Sequence, residues 1–244
     1  MKAGISTACF VGSSETEKAL LEIAGLGAAC TEVSLGTFYE YRPEFAKKYA
    51  TNAGGAEVCS VRVSPFNFEP QLFSPSRRIR GDGFYWLEQV MRSAGFFGCK
   101  NYVLNGYVLN NGKCKVKDTA AYMREISGFC ARYGVQLCLK NNKDAIFESP
   151  SDFCEIIKLC PGLSGVLDLR EAERSGYVAD EYLAHMAGAI VQVNVSCADV
   201  DEKILKSFIR KLKSLNFDGN VVIAGAAASS DLKMSFERLK EFIL

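Results

Sequence analysis

The sequence contains one histidine, His185, in 244 residues. It has ten cysteines but no Cys-X-X-Cys pair, and no apolar run approaches the roughly 18 residues that a membrane span needs. Structural zinc sites are built from clustered cysteine or histidine ligands, so this composition argues against one. We therefore interpret the cysteines as reduced residues of the core, and we interpret His185, which falls within a predicted helix, as a structural residue.

Neither sign of charge dominates the chain. Lys and Arg together number 29 and Asp and Glu number 28, which gives a formal net charge of +1. This balance argues against a surface dedicated to nucleic acid or to an anionic membrane, so we expect neither as a partner. The first ten residues, MKAGISTACF, lack the apolar segment of a signal peptide, and we expect a cytoplasmic protein. The composition leaves the oligomeric state open.

Short β-rich runs alternate with helical stretches along the whole chain. The predicted strands span residues 3–9, 30–35, 57–63, 101–105, 135–140, 164–169, 189–195 and 220–225. The predicted helices lie within residues 13–27, 43–53, 83–98, 117–133, 149–162, 178–187, 201–215 and 230–243. This alternation predicts a parallel sheet covered by helices.

Two helix starts carry recognisable capping signals. Ser14 and Glu17 have the spacing of a capping box. Ser149 is the predicted N-cap of a later helix, with Pro150 at its first helical position. These signals predict where the two helices begin.

Eight strand–helix units in about 250 residues are typical of a closed (β/α)₈ barrel, the TIM barrel. We predict that residues 1–244 form one such α/β domain. The alternative is a doubly wound open sheet. That fold normally carries a glycine-rich phosphate loop after its first strand, and none is found here.

The carboxyl ends of the strands are where a barrel of this kind places its functional groups. The candidate catalytic residues at these ends are Lys140, Asp168 and Glu171. The candidate ligand-binding residues are Glu32, Asn105, Asn141, Asn194, Phe38 and Tyr39. Carboxamides suit hydrogen bonding to a polyol and aromatic rings can stack on a sugar, but both also serve as ordinary packing and loop-capping groups.

Two further features leave alternatives open. Lys140 can be a structural ion-pair partner, a contact to a ligand oxygen, or a reactive amine that forms a Schiff base. Arg77, Arg78 and Arg80 follow the third strand and can be either a phosphate-binding group at the barrel mouth or a solvated run.

Several segments carry a resemblance to a known family. They are KAGISTACF, TEVSL, VRVSPF with LFSP, GCKNYVLNG, VQLCLKNN, SGVLDLREA and FDGNVVIAG. In order and wording they resemble the xylose-isomerase-like barrels, which include sugar isomerases, epimerases and endonuclease-IV-type enzymes. The resemblance spans nearly the whole chain and implies a (β/α)₈ barrel that acts on a small carbohydrate or sugar phosphate.

The resemblance also implies a divalent metal site that this chain has lost in large part. Family members typically ligate the metal through a glutamate, an aspartate, a histidine and a glutamate after strands five to eight. Matched segment by segment, this chain has Lys140, Asp168, Asn194 and Ala224 at those places. We expect no metal or other cofactor, and we expect Lys140 to occupy the place of the cation and to pair with Asp168.

The sequence therefore predicts a sugar isomerase-like or epimerase-like protein with a degenerate metal site. If it is catalytic, Asp168 or Glu171 would act as the base and Lys140 would stabilise an enediolate without a divalent metal. The alternatives are a Schiff-base lyase and a non-catalytic barrel that binds a carbohydrate or another protein. Nuclease activity is disfavoured, since it would need a histidine-rich metal cluster.

Overall fold

A computed structural model describes residues 1–108, 116–197, 202–225 and 229–243. The strands are β1 (Lys2–Ser6), β2 (Cys30–Leu35), β3 (Glu57–Val63), β4 (Asn101–Leu104), β5 (Gln136–Lys140), β6 (Ser164–Asp168), β7 (Ile190–Val195) and β8 (Asn220–Ile223). The helices are α1 (Thr16–Gly25), α2 (Pro43–Tyr49), α3 (Arg77–Phe96), α4 (Val116–Ala131), α5 (Pro150–Leu159), α6 (Leu169–Arg174), α7 (Ala179–Met186), α8 (Glu202–Ser214) and α9 (Ser229–Ile243).

The strands form a closed barrel in which each strand pairs in parallel with the next one along the chain. The barrel closes where β8 pairs with β1, and Ile5 of β1 lies opposite Ile223 of β8. Gly4 permits the close approach of β2, because a Cβ at this position would lie 2.6 Å from the sulfur of Cys30. The predicted single (β/α)₈ barrel is therefore confirmed.

The barrel separates an apolar layer beneath the helices from an interior that holds both apolar clusters and polar side chains. Buried apolar side chains of the strands and helices form one large core between the two layers. Successive side chains of a strand point to opposite faces, so the alternate residues of each strand point into the barrel. Several of these are polar and buried: Ser6, Glu32, Ser60, Lys140, Gln192 and Asn194. No helix in the described part of the chain is long and apolar enough to cross a membrane.

Two predicted boundaries in the first unit are wrong. β1 ends at Ser6 and a 3₁₀ helix, Thr7–Phe10, replaces the end of the predicted strand. The cause is local, since the Ser6 hydroxyl accepts a hydrogen bond from the backbone N–H of Ala8 at 3.2 Å. Helix α1 begins after Glu15 and has no side-chain capping bond, so the Ser14 and Glu17 capping box is also absent.

The other predicted cap is confirmed. Ser149 is the N-cap of α5, and its side chain accepts a hydrogen bond from the backbone N–H of Asp152 at 3.1 Å. Pro150 is the first residue of the helix. Asp152 completes a reciprocal capping box by accepting the backbone N–H of Ser149.

Helix α3 starts earlier than predicted and takes in the arginine run. Arg77, Arg78 and Arg80 lie in its first turn, not in a loop. Arg80 donates to the backbone oxygen of Ser74 at 2.9 Å and pairs with Glu125 of α4 at 3.4 Å, which directs it along the outer helices. Helix α6 was not predicted, and it follows β6 directly.

Candidate active site

A cavity of about 300 Å³ opens at the carboxyl ends of the strands, a volume within the usual range for small-molecule sites. It lies where the sequence predicts a site, at the ends of β3 and β5 to β8 and beside α6. The described residues that line it are Arg62, Lys140, Asp168, Arg170, Glu171, Arg174, Asn194, Val195, Ser196, Ala224 and Gly225.

Lys140 and Asp168 form the predicted ion pair inside this cavity. The Lys140 Nζ lies 3.3 Å from Asp168 Oδ2, and the two side chains are 8% and 14% exposed. Asp168 Oδ1 accepts the backbone N–H of Glu171 at 3.1 Å, so the same carboxylate caps α6. The parallel pairing of β5 with β6 brings the two charges together. Their attraction offsets the free-energy cost of removing each charged group from water.

Glu171 lines the same cavity but both of its oxygens already have partners. Oε1 lies 2.7 Å from Nη1 of Arg174, and Oε2 accepts the backbone N–H of Lys143 at 3.1 Å. Glu171 therefore ties the loop after β5 to helix α6, in addition to facing the cavity.

The three predicted asparagines have different surroundings. Asn141 donates to the backbone oxygen of Asp168 at 2.9 Å and accepts its N–H at 2.7 Å, which uses both ends of the amide. Asn105 donates to Val63 O at 3.3 Å and to Glu69 Oε2 at 3.0 Å. Asn141 and Asn105 join strand ends, whereas Asn194 lines the cavity.

Glu32 lies in the barrel interior, below the cavity, and is fully buried. It accepts hydrogen bonds from Ser6 Oγ and Gln192 Nε2, each at 2.8 Å. Arg62 Nε lies 3.1 Å from Glu32 Oε1, although its N–H is not directed at the carboxylate and forms no hydrogen bond. The pair is therefore an ion pair held by charge and not by a directed bond.

Arg62 and Gln192 are site residues that the sequence prediction missed. The signal was present in the segments SVRV (60–63) and VQVNV (191–195), where polar and apolar residues alternate. Because helices cover the outside of the barrel, the polar residues of such a strand point inward.

The predicted aromatic residues Phe38 and Tyr39 do not line the cavity. Phe38 packs on Trp86 of α3 with ring centroids 4.6 Å apart, and Tyr39 is 62% exposed. A different aromatic pair, Phe66 and Tyr107, is in contact at 4.8 Å. Burial raises the pKa of Tyr107 to about 12, and the negative charge of Glu171 contributes to the rise.

Glu69 is a second buried carboxylate that the sequence did not indicate. It lies in the 3₁₀ helix Glu69–Phe73 and is fully buried. It accepts hydrogen bonds from the Tyr102 hydroxyl at 2.7 Å and from the Asn105 backbone at 3.1 Å. Burial raises its pKa to about 7, and these hydrogen bonds oppose the rise.

The described strand ends bring few metal-ligating groups into the cavity. One carboxylate, Asp168, faces an ammonium group 3.3 Å away, and Asn194 supplies only an amide. A divalent cation needs several anionic or imidazole ligands, and Lys140 would repel it. In the residues that the structure describes, no three His, Cys, Asp or Glu side chains are grouped so as to hold a metal.

Comparison with known proteins gives matches in structure and not in sequence. No family model matches the chain, and no curated protein matches it. A D-tagatose 3-epimerase-like protein shares 18% identity and a TM-score of 0.76, over 100% of this chain and 97% of that one. A D-psicose 3-epimerase, crystallised in the presence of D-fructose, shares 13% identity and a TM-score of 0.74, over 100% and 96% of the two chains.

A third solved structure extends the comparison to phosphorylated substrates. It is a sugar phosphate isomerase/epimerase from Parabacteroides distasonis, with 11% identity and a TM-score of 0.73, over 100% of this chain and 96% of that one. At sequence identities this low, the structural matches establish the fold alone. The chain thus has the barrel fold of sugar epimerases and xylose-isomerase-like proteins, as the sequence resemblance implies.

Proposed function

We propose that this chain binds a small carbohydrate or sugar phosphate in the cavity and acts on it as an isomerase or epimerase without a divalent metal. The observation that carries the proposal is the ion pair of Lys140 and Asp168 in the cavity, at the ends of β5 and β6. Proteins with the same fold are named as sugar epimerases, and these names support a carbohydrate as the substrate.

The chemistry proposed for this site is proton transfer next to a carbonyl group. Removal of a proton from a carbon that bears a hydroxyl and adjoins a carbonyl gives an enediolate, with negative charge on the former carbonyl oxygen. The Lys140 ammonium would stabilise that charge, and the Asp168 carboxylate would accept the proton. Return of this proton to the former carbonyl carbon, with transfer of the hydroxyl proton to the enediolate oxygen, completes isomerisation. Epimerisation requires that the planar enediolate turn its opposite face to the protonated Asp168 before the proton returns to the same carbon.

Glu171 is the second carboxylate of the proposed site. Its two oxygens are engaged by Arg174 and by the backbone of Lys143. We assign it the role of orienting Arg174 and the loop after β5, and we keep Asp168 as the base.

The test is exchange of the substrate's carbon-bound hydrogen with deuterium. The protein is stripped with a chelator and incubated in D₂O with a panel of ketoses, aldoses and their phosphates, and exchange is followed by proton NMR. We expect exchange in the chelator-treated protein and its loss in Asp168→Asn and Lys140→Met. Lys158→Met, an exposed lysine on α5, is the matched control and should retain exchange.

Two results would contradict the proposal in different ways. Exchange that requires an added divalent metal would restore a metal-dependent mechanism. Saturable sugar binding with no exchange would favour the non-catalytic barrel. Trapping of a substrate on Lys140 by borohydride would instead support a Schiff-base enzyme.

A further inference from the structure

Several cationic side chains line the cavity. Four of its described lining side chains are cationic and two are carboxylates. Each of these cations also has a partner, and that of Arg62 is Glu32, which lies beneath the cavity. A cation in a partly buried site nevertheless attracts an anion more strongly than the same cation in water does. The cations are Arg62, Lys140, Arg170 and Arg174, and the carboxylates are Asp168 and Glu171.

A chain of hydrogen bonds determines which way the Asn194 amide points. Glu32 in its ionised form only accepts hydrogen bonds, so the amide nitrogen of Gln192 must face it, at 2.8 Å. Gln192 Oε1 accordingly accepts from the Ser60 hydroxyl at 2.8 Å. The same Gln192 nitrogen also donates to Asn194 Oδ1 at 2.8 Å, which assigns the oxygen of that amide.

This network leaves the amide nitrogen of Asn194 without a partner among the described residues. Asn194 is 1% exposed and lines the cavity, and its Nδ2 has no hydrogen-bond partner among the described residues. A buried amide donor without a partner costs free energy, roughly 1–3 kcal/mol by the usual estimates. A ligand oxygen in the cavity would remove that cost.

Arg62 presents further donors to the same cavity. Its Nε is held near Glu32, at 3.1 Å, and its side chain is 16% exposed. Its two terminal nitrogens form no hydrogen bond with a described residue, which leaves the planar fork available for an oxyanion. The buried Glu32 fixes the base of the side chain, so little conformational entropy is lost when the fork binds.

We propose that Arg62 and Asn194 form a subsite for an oxyanion, a phosphate or carboxylate group, so that the substrate is an anionic sugar. The inference rests on the proposed function, which it narrows from carbohydrates in general to charged ones. A hydroxyl group could satisfy Asn194, but it could not accept both hydrogen bonds of the Arg62 guanidinium fork in the way that an oxyanion does.

The experiment measures binding by calorimetry to four probes: inorganic phosphate, D-fructose, D-fructose 6-phosphate and D-gluconate. We expect inorganic phosphate to bind and at least one anionic sugar to bind about tenfold tighter than D-fructose or more, the effect of one hydrogen-bonded charge pair. The preference should weaken as salt is added. Preference for the phosphate ester or for the acid identifies the source of the oxyanion.

Two variants test the assigned residues. Asn194→Asp keeps the shape and the acceptor for Gln192 but replaces the free donor by a carboxylate oxygen, so it should abolish the anion preference. The double variant Glu32→Gln with Arg62→Met removes both partners of the ion pair and avoids a buried unpaired charge. This double variant should also abolish the preference for the anionic sugars over D-fructose. Arg92→Met, at an exposed arginine of α3, is the control.

The outcomes separate this inference from the proposed function. Equal binding of D-fructose and the anionic sugars would overturn the oxyanion subsite and leave carbohydrate binding intact. Binding of inorganic phosphate with no binding of any sugar would support the subsite and overturn the proposed function. An anion preference that survives in both variants, each shown to be folded by its melting temperature, would overturn the assignment to Arg62 and Asn194.

Discussion

Replacement of Glu69 by glutamine should change how the stability of this protein depends on pH. The carboxylate is fully buried, and burial raises its pKa from 4.5 to about 7. Between these two values the folded protein holds one proton more than the unfolded chain. The contribution of Glu69 to the stability of the wild-type protein should therefore be fully present below pH 4.5 and should be lost as pH rises towards 7.

The magnitude follows from the size of the shift. Each pH unit in that interval removes about 1.4 kcal/mol, so the whole interval removes roughly 3 kcal/mol. Glutamine does not titrate, and it suits the site. Its oxygen can accept the two N–H groups of Asn105, and its amide can donate to the oxygen of Tyr102.

The assay is urea denaturation of both proteins at half-unit steps from pH 5 to pH 8. We expect Glu69→Gln to lie within about 1 kcal/mol of the wild-type free energy of unfolding near pH 5 and to exceed it by roughly 3 kcal/mol near pH 8. Glu22→Gln, at an exposed position of α1, removes the same charge and should show no such trend. A difference between Glu69→Gln and wild type that is constant over the whole range would refute the reasoning.

Three substitutions test other parts of the structure by the same unfolding measurement. Lys140→Met should destabilise the protein by several kcal/mol because it leaves the Asp168 carboxylate without its cation. Adding Asp168→Asn should recover much of this loss. Equal losses in the single and double variants would contradict the ion pair. Ser149→Ala should cost about 1 kcal/mol through the lost cap, whereas Ser14→Ala should cost almost nothing; the reverse order would restore the cap predicted from the sequence. Gly4→Ala should cost roughly 1–3 kcal/mol, since its methyl group would lie 2.6 Å from a sulfur of the neighbouring strand, and an unchanged stability would refute that contact.

The barrel itself was predictable because its signal is spread over the whole chain. Eight strand-helix alternations leave few arrangements that bury every apolar face, and errors of a few residues at one boundary do not change the count. The boundaries were less predictable. At Ser6 and at Ser14, the outcome depends on single hydrogen bonds that the local sequence allows but does not require.

The Lys140 and Asp168 pair was also predictable, because parallel strands place their carboxyl ends at the same edge and opposite charges in a dry site must meet. The roles of the asparagines were not. Asn105, Asn141 and Asn194 have the same chemistry and similar positions at strand ends. Only the packing of the loops decides that two of them bind backbone groups and one lines the cavity.

By itself, then, the sequence determined the barrel, the end at which the site lies and the charge pair within it. The tertiary structure decided which polar residues the barrel turns inward and which donor is left free. Arg62, Glu32 and Gln192 are far apart in the chain, and closure of the strands, with a register shift between Thr31 and Glu32, brings them into one network. The physical reason is that strand pattern is a local property, whereas the partner of a buried polar group depends on the register of every strand around the barrel.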